Sequence, residues 1–562
     1  MNESILSSGR YTFLFVLLGI AYVLGLFVPL MDNDSAHHAN IALHMYQHND
    51  FVNLIDRGKD YLDKPHLLFW LSALSYYVFG VTAFAYKLPS VLFSIAAIWA
   101  AYKTGKRLYD KETGKLAALI LASAQAFILA CMDVRMDALL SANIILATWQ
   151  LLEAVTAKKR YNFVLAALFM ALGFSTKGLV GIIMPGLAIF LYLLYKRDFK
   201  QLFNLKWIIV GLLTAVFMFP VVYCFYLQYD LHPEKTIRGM TNISGIKFIL
   251  WGQNIERLEG KNFDAPPIDY SFYFHTILWA FLPWCIIVYY AVGSRLKEIW
   301  VNKFKPVKNL ETLTVGTIVL ILILISTSQF QLPHYLNILF PFFSILSAAK
   351  LIQLHREQRI KPLKIIYGIQ LFIAVISVAV ITLLCLWSFP INNIFIGILA
   401  LLILAFIISV IYKRGMIIAK IFTISVATSA FVNVLLNGSF YPQLLTCQGS
   451  SALAAIANNE KIDPQNIYYY NIPAFNFAFD FYTQNLKPVS SLEDVRNKAM
   501  DKPWVFTNAN GLDTLKRSGL SIADIRQAKE FHVTGLTPAF LDPRTRSQQL
   551  DTLYLVKFSS NK

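Results

Sequence analysis

The sequence is poor in charged residues and in cysteine. Only 15% of its 562 residues are Asp, Glu, Lys or Arg, whereas 56% are hydrophobic. A soluble protein of this length does not need many uninterrupted apolar runs of about 20 residues, so the composition predicts a polytopic membrane protein. The five cysteines are scattered, mostly within or at the ends of apolar runs. This spacing excludes a disulfide framework and a zinc signature.

Glycine-rich phosphate-binding motifs are also missing. The sequence contains no G-x-G-x-x-G dinucleotide fingerprint and no Walker loop, so it lacks the signature of an enzyme that uses a nucleotide. The net charge of +17 does not indicate nucleic-acid binding, because the positive residues are concentrated in short loops beside apolar runs. Anionic lipid headgroups are the expected partner of such loops.

The distribution of Lys and Arg predicts the membrane topology. Cytoplasmic loops are enriched in these residues, so the basic loops are expected to face inward: 103–115, 158–160, 196–206, 295–308, 356–364 and 413–420. The expected spans are 11–30, 85–103, 114–131, 137–155, 161–175, 178–195, 206–226, 271–292, 312–328, 333–351, 364–388, 391–412 and 416–436. Thirteen spans place the amino terminus inside and the tail outside. The first run is long and lacks a small-residue cleavage site, so we interpret it as a retained signal anchor.

The apolar segment 66–80 is the exception to this count. It is shorter than the roughly 20 residues of a spanning helix, and a crossing here would move every later basic loop to the outside. We therefore interpret it as an amphipathic helix in the outer interface. The first outer loop, 31–84, would then carry interfacial helices.

From about residue 440 the sequence changes character. Strand-like runs at 466–470, 503–507 and 552–558 alternate with polar helical patterns at 450–458, 492–500 and 522–531. Ser490 and Glu493 have the spacing of a capping box at a helix start. The predicted organisation is a transmembrane domain at 1–439 followed by a small extracytoplasmic α/β domain at 440–562.

Several charged residues fall in the outward loops, where they need partners or a wet cavity. Asp34 closes the first span and opens a polar stretch with His37, His38 and His44. Taken alone, Asp34 is best interpreted as a helix cap. The histidine spacing matches no metal motif, so solvated interfacial histidines are expected.

The outward loops together carry an ordered series of short motifs. In chain order these are Asp34-Ser35, Tyr61-Leu62-Asp63-Lys64-Pro65, Lys87-Leu88-Pro89-Ser90, Arg135-Met136-Asp137, Ser175-Thr176-Lys177-Gly178, Asn254-Ile255-Glu256-Arg257-Leu258 and Gln331-Leu332-Pro333-His334-Tyr335. This series resembles the membrane glycosyltransferases of the GT-C type. It is most similar to the bacterial lipid A aminoarabinose transferases and the related protein mannosyltransferase-like family, and the resemblance runs through essentially the whole chain.

The resemblance implies an inverting glycosyltransferase of the bacterial inner membrane with its active site facing the periplasm. The donor would be a sugar on polyprenyl (undecaprenyl) phosphate, the sugar could be 4-amino-4-deoxy-L-arabinose and the acceptor lipid A, with no cofactor and no metal. The implied catalytic residues are Asp34 and Asp137. The implied substrate-binding residues are Tyr61, Asp63, Lys64, Lys177, Arg257, His334 and Tyr335.

Structural interpretations of these residues remain open. Lys64 has the pattern of an interfacial snorkelling side chain, and Arg257 that of a solvated helix face. For Asp137 and Lys177, an ion pair at a helix end is at least as plausible as a direct role. Two positions depart from the family pattern: Ser35 replaces a second acid, and Gln331 replaces a lysine of the aminoarabinose transferases.

Two other functions fit parts of the sequence. A polyprenyl-phosphate-dependent protein O-glycosyltransferase would share the donor and differ in the acceptor. A polytopic lipid or sugar transporter would explain the spans and the membrane-level charges. Against a transporter stand the lack of a detectable inverted repeat and the clustering of polar motifs on one face.

Overall fold

A computed structural model of the chain describes residues 4–157, 159–259, 267–472, 476–498, 501, 503–531 and 535–559. For residues 254, 257 and 258 it describes the backbone only. The first half is helical: α1 Ser8–Leu26, α2 Asp34–His48, α3 Leu67–Phe79, α4 Ala83–Leu108, α5 Lys111–Ala122, α6 Gln125–Met132, α7 Asp137–Thr156, α8 Tyr161–Lys177, α9 Val180–Lys196, α10 Phe199–Leu202 and α11 Lys206–Phe225. A short hairpin, β1 Ile55–Asp56 and β2 Lys59–Asp60, separates α2 from α3.

The helical pattern continues to about residue 447. Its later helices are α12 Gly245–Lys247, α13 Gln253–Glu259, α14 Phe272–Ala280, α15 Cys285–Val301, α16 Leu313–Ser326, α17 Phe340–Arg356, α18 Ile360–Leu383, α19 Ile394–Tyr412, α20 Ile417–Leu435 and α21 Tyr441–Leu444. A 3₁₀ helix, Pro333–Leu339, leads into α17. The C-terminal elements are α22 Gly449–Asn459, β3 Ile467–Tyr469, α23 Phe477–Thr483, α24 Leu492–Lys498, β4 Trp504–Asn508, α25 Ala509–Arg517, β5 Ile522–Glu530, α26 Pro538–Leu541 and β6 Asp551–Phe558.

The helices are apolar enough for a multi-pass membrane protein. Among the described residues, eight helical segments have the length and composition to cross a membrane, and the bent pair α5–α6, with 55° between its halves, makes up to nine. The predicted spans 161–175, 178–195 and 312–328 coincide with the shorter apolar helices α8, α9 and α16. The segment at 66–80 forms α3, also a short apolar helix. The count of thirteen crossings remains a prediction.

Several of the basic loops lie together at one end of the bundle. Arg356, the last residue of α17, pairs with Asp110 between α4 and α5 at 2.6 Å. The Tyr195 hydroxyl at the end of α9 donates to the carbonyl of Lys305 at 2.8 Å. Loops that the charge pattern assigns to one side of the membrane therefore meet in space.

The C-terminal strands form a four-stranded sheet in the order β3–β4–β6–β5, in which β3 and β4 are parallel and the other pairs antiparallel. The strands predicted at 466–470, 503–507 and 552–558 are confirmed as β3, β4 and β6. The core beside this sheet contains several aromatic residues, and Phe479 of α23 stacks on Phe506 of β4 with ring centroids 4.1 Å apart.

Two local predictions in this region are wrong. Residues 522–531 are not a helix, because Ile522–Glu530 pairs along β6 as an edge strand whose side chains alternate between half-buried and exposed. The capping box lies one residue later than predicted. The backbone NH of Asp494 donates to the Ser491 hydroxyl at 3.1 Å, and the Asp494 carboxylate accepts from the Ser491 NH at 2.9 Å.

Candidate active site

Asp34 is the first residue of α2, and it is not the cap. Asn33 takes that place, since its side chain accepts the backbone NH of Ser35 at 2.8 Å. The Asp34 carboxylate is therefore available for other partners, and its Oδ2 lies 3.1 Å from Nη1 of Arg135. The Asp34 side chain remains 44% exposed, so a ligand can reach it.

Arg135 is held in place from its other side. Its Nη2 lies 3.2 Å from the Asp133 carboxylate, and that carboxylate also accepts the Asn33 side-chain amide at 3.3 Å. The loop before α7 is thus tied both to the cap of α2 and to Asp34. Because two carboxylates orient one guanidinium, the direction of its fork is fixed.

The surroundings of Asp34 keep it ionised. Burial alone would raise its pKa, but nearby positive charge, including that of Arg135 and Lys64, outweighs that effect and holds the pKa below its ordinary value. Burial lowers the pKa of His38 itself to about 3, so this imidazole is neutral at neutral pH. Arg135 and Lys64 then supply the positive charge that favours the carboxylate. His38 is also 3% exposed, so the expectation of a solvated histidine is wrong at this position.

Asp137 opens α7, two residues after Arg135, and forms a buried ion pair. It is 2% exposed, and its Oδ1 lies 2.9 Å from Nζ of Lys177. His334 approaches the second carboxylate oxygen at 3.9 Å. The Lys177 ammonium also lies 4.5 Å from the ring centroid of Tyr335. Three chain segments far apart in sequence therefore meet at Asp137.

The position of Lys177 follows from a tight connection between α8 and α9. Gly178 ends α8 with φ of 70°, a conformation that favours glycine. The two helices also touch at Gly173 and Gly181, where a Cβ on Gly181 would lie only 2.2 Å from the Gly173 carbonyl carbon. Glycine at these positions lets the helices approach closely, and Lys177 lies at the connection between them.

Lys64 and Asp63 form a third cluster, after β2. The Lys64 ammonium contacts the Asp63 carboxylate, and Lys64 is only 8% exposed. Arg238 lies 3.5 Å from the other Asp63 oxygen and 3.1 Å from Glu256. In this third cluster, the cations Lys64 and Arg238 thus alternate with two carboxylates.

Tyr61 and Arg257 complete the predicted set. The Tyr61 hydroxyl lies 3.5 Å from Nε2 of His38, and its backbone carbonyl accepts the Tyr229 hydroxyl at 2.8 Å. Arg257 belongs to α13, but its side chain is outside the described part of the structure.

The described candidates gather around Asp34. Lys64, Arg135 and His334 all act electrostatically on its carboxylate, and Asp137 acts on Arg135. Sequence reasoning gave no role to Arg135, although it stands two residues before Asp137 in one of the motifs. It also gave none to Arg238, whose loop carried no motif. Within the described residues, no group of three or more His, Cys, Asp or Glu side chains has a geometry that could hold a metal ion.

The chain is similar to known membrane glycosyltransferases. A family model described as dolichyl-phosphate-mannose-protein mannosyltransferase matches residues 63–224. The crystal structure of ArnT from Cupriavidus metallidurans bound to undecaprenyl phosphate superposes with a TM-score of 0.73, covering 98% of both chains at 16% identity. The chain has the ArnT fold.

Curated relatives match at the level of sequence. The undecaprenyl phosphate-alpha-4-amino-4-deoxy-L-arabinose arabinosyl transferase of Pseudomonas paraeruginosa is 25% identical over 301 residues, which cover 52% of this chain and 51% of that protein. The putative mannosyltransferase YkcB of Bacillus subtilis is 27% identical over 222 residues, covering 38% and 30%. The chain spans about half the length of the first of these relatives. The resemblance to GT-C membrane glycosyltransferases that the motif order predicted is confirmed.

Proposed function

We propose that this protein transfers a sugar from polyprenyl phosphate to an acceptor at the outer face of a bacterial inner membrane. The observation that carries the proposal is the meeting of Asp34, Lys64, Asp137, Lys177 and the 334–335 segment in one polar cluster of an ArnT-like fold. Charged side chains at membrane level are rare, pair with one another or line a wet cavity, and commonly mark a functional site.

In the proposed reaction, an acceptor oxygen attacks the anomeric carbon of the sugar. The bond between that carbon and the phosphate oxygen breaks, and polyprenyl phosphate leaves with the bonding electrons. Attack from the face opposite the leaving group inverts the anomeric configuration. Asp34 would orient the acceptor, take its proton where it carries one, and stabilise positive charge developing at the anomeric carbon.

The leaving phosphate needs cationic and hydroxyl donors. Lys64, Arg257 and Tyr335 are the proposed partners, because several charge-assisted bonds spread the charge of the phosphate. Asp63 and Tyr61 would hold the loop that carries Lys64. Asp137, Lys177 and His334 would orient Tyr335 and the sugar, supported by the contacts of Lys177 with both Asp137 and the Tyr335 ring.

The proposed topology has thirteen crossings, with a membrane domain at 1–439 and a periplasmic domain at 440–562. Its support is the meeting of basic loops at one end of the bundle. A cysteine introduced at the exposed position Asn510 should react with an impermeant maleimide in cells whose outer membrane is permeabilised. One introduced at the exposed Lys305 should react only after the inner membrane is opened. Labelling of position 305 before that step contradicts the topology.

The proposed substrates are 4-amino-4-deoxy-L-arabinose and a phosphate of lipid A. Support comes from the relative in Pseudomonas paraeruginosa, whose name carries this donor. A lipid A phosphate is already ionised at neutral pH, so it needs positioning rather than deprotonation. Gln331 does not oppose this choice, because its side-chain amide donates to the backbone carbonyls of Asp269 and Ser326 at 3.1 Å each and serves as a loop anchor.

A hydroxyl of an exported protein is the second candidate acceptor, favoured by the match to the protein mannosyltransferase model. Mass spectrometry of lipid A and of exported glycoproteins, from cells with and without the gene, separates the two. We expect the deletion to remove an aminoarabinose mass from lipid A. Loss of sugar from proteins with lipid A unchanged would overturn that choice.

A further inference from the structure

We infer that the C-terminal segment at α23 positions Asp34, through contacts with the first outer loop. This inference rests on the proposed function. It assigns a positioning role to Phe477 and Asp480, more than 400 positions from Asp34, and to their partners Asp32 and Arg57 in the first outer loop.

The face of α2 that is turned toward α23 is attached to it by side chains. The Asn40 side-chain amide donates to the Phe477 carbonyl at 2.8 Å, and Asn40 is 3% exposed. The His37 ring stacks on the Phe477 ring, with centroids 4.2 Å apart and planes 11° from parallel. His37 and Asn40 are three and six residues beyond Asp34, so both lie within two turns of the helix that carries it.

A buried ion pair makes the second attachment. Arg57 lies in the turn of the β1–β2 hairpin, and its guanidinium binds Asp480 twice, with Nε 2.6 Å from one oxygen and Nη2 3.1 Å from the other. Nη2 also donates to the carbonyl of Asn476 at 3.0 Å. Asp480 is fully buried, which raises its pKa to about 6 in spite of Arg57, and it is therefore ionised at neutral pH. A bidentate pair of this kind fixes direction as well as distance.

The hairpin passes this constraint to α2. The Asp56 carboxylate, beside Arg57, accepts a hydrogen bond from Nε2 of His37 at 2.9 Å. His37 is therefore held between Asp56 and the Phe477 ring. The hairpin, α2 and α23 form a three-way contact, and β2 leads from it directly to Lys64.

The third attachment lies just before Asp34. The buried Asp32 carboxylate accepts the backbone NH of Ala478 at 3.0 Å and a hydrogen bond from the Ser450 hydroxyl. Its own NH donates to the Gln448 side chain at 2.8 Å, and Gln448 in turn donates to the carbonyl of Leu30 at 3.0 Å. The backbone entering α2 is thus fixed by C-terminal residues.

These contacts place Asp34 between two anchors. C-terminal residues hold Asp32, His37 and Asn40, and Arg135 holds the Asp34 carboxylate itself. A C-terminal domain that was merely tethered to the bundle would not need two polar attachments and one stacked ring pair within seven residues of Asp34. A displacement of about 1 Å in a reacting group costs roughly a hundredfold in rate, so release of α23 should reduce turnover.

The test compares Asp480→Asn with Glu460→Gln in the full-length purified protein. Glu460 forms an exposed pair with Arg526 at 2.8 Å, and neither residue of this pair contacts the first loop in the described contacts. Three quantities are measured: the turnover number for sugar transfer, the affinity for undecaprenyl phosphate, and amide hydrogen exchange of residues 34–48. We expect Asp480→Asn to lower turnover about tenfold or more, to accelerate exchange in 34–48, and to keep the lipid affinity within about twofold.

A second variant guards against simple misfolding. Phe477→Leu keeps an apolar side chain in the core but removes the stacking on His37, and the same pattern of results is expected at a smaller size. Exchange and turnover equal to those of Glu460→Gln in both variants would overturn the inference, as would equal loss of lipid affinity and turnover. A wild-type protein that transfers no sugar counts against the proposed function instead, and the exchange data still decide whether α23 holds the loop.

Discussion

The two polar ends of the helical bundle use the same residue types in opposite ways. At the end that gathers the basic loops, Arg295 is 4% exposed and donates to the Tyr109 hydroxyl at 3.2 Å. Glu298 lies 3.4 Å from Arg295 and 2.9 Å from Lys350. The Tyr109 hydroxyl donates to Glu311 at 2.6 Å. Arg295 and Glu298 both belong to α15, and their further partners Tyr109 and Lys350 come from other segments of the chain.

The end that carries the candidate site is organised differently. Asp34 pairs with Arg135 and still exposes 44% of its side chain, compared with 28% for Glu298. Lys177 divides its contacts between the Asp137 carboxylate and the face of the Tyr335 ring. The Asp34 carboxylate at this end therefore combines a cationic partner with access to solvent.

This difference predicts which charges serve structure and which serve function. Burying an ion pair gains little net stability, but removing one partner of a buried pair is strongly destabilising. The cluster of Arg295, Glu298 and Lys350 therefore holds helices together, and its loss should appear as a loss of stability. The cluster around Asp34 retains an accessible carboxylate, and its loss should appear first in activity.

Asp34→Asn tests the comparison most severely. The change keeps size and most hydrogen bonding but removes the charge, so we expect a folded protein with sugar transfer lowered about a hundredfold or more. The matched change at the other end is Glu298→Gln, which should lower the melting temperature and leave turnover of the surviving folded protein near wild type. Sugar transfer by Asp34→Asn at a near wild-type rate would mean that Asp34 serves only as an ion-pair partner of Arg135.

Lys64→Ala separates donor binding from chemistry. The lost charge-assisted bond should weaken binding of undecaprenyl phosphate by about 1.5 to 3 kcal/mol, or roughly tenfold to a hundredfold. The control is Lys103→Ala, which removes a lysine that lies over Trp99 in the basic segment 103–115. It should leave the affinity unchanged. Equal lipid affinity in wild type and Lys64→Ala, measured by microscale thermophoresis, places the phosphate elsewhere.

Asp137→Asn should have a smaller effect on turnover, about tenfold. Asp137 holds Lys177 and His334 but is 2% exposed, so it acts on the substrate through these neighbours. We expect the Michaelis constant for the donor to rise as Lys177 is released. A loss of turnover as large as that of Asp34→Asn, with the Michaelis constant for the donor unchanged, would instead mean that Asp137 contacts the reacting atoms.

The sequence pointed to part of the candidate site, because chemistry-bearing residues stood in short ordered motifs beside apolar runs. Asp34, Lys64, Asp137, Lys177 and His334 became candidates in this way, and their roles stay predictions. The attachment between Arg57 and Asp480 was not found, because the two residues are 423 positions apart and neither lies in a motif. Such pairs follow from the tertiary fold and leave no local pattern.

The error at β5 has a related cause. Residues 522–530 are polar and rich in helix-forming residues, and Ile525 lies on the more exposed face, so no clean alternation of apolar residues marks a strand. Pairing with β6 decides the structure instead. Edge strands of this kind are where tertiary pairing overrides local propensity.

Asp32→Asn should give the smallest effect, a change in how stability depends on pH. Burial raises the pKa of Asp32 above its ordinary value of 3.8, against the opposing bonds from Ser450 and Ala478, and the neighbouring Glu530, whose pKa is also raised, titrates together with it. The folded protein therefore keeps a proton here at pH values where the unfolded chain has released it, so the stabilisation is full at low pH and is lost as the pH rises from about 4 toward neutrality. We expect the wild-type melting temperature, followed by intrinsic fluorescence in detergent, to fall more steeply across this window than that of Asp32→Asn. Glu460→Gln, which removes an exposed carboxylate, should keep the wild-type slope. Parallel curves for all three proteins would mean that Asp32 is ionised in the folded state throughout.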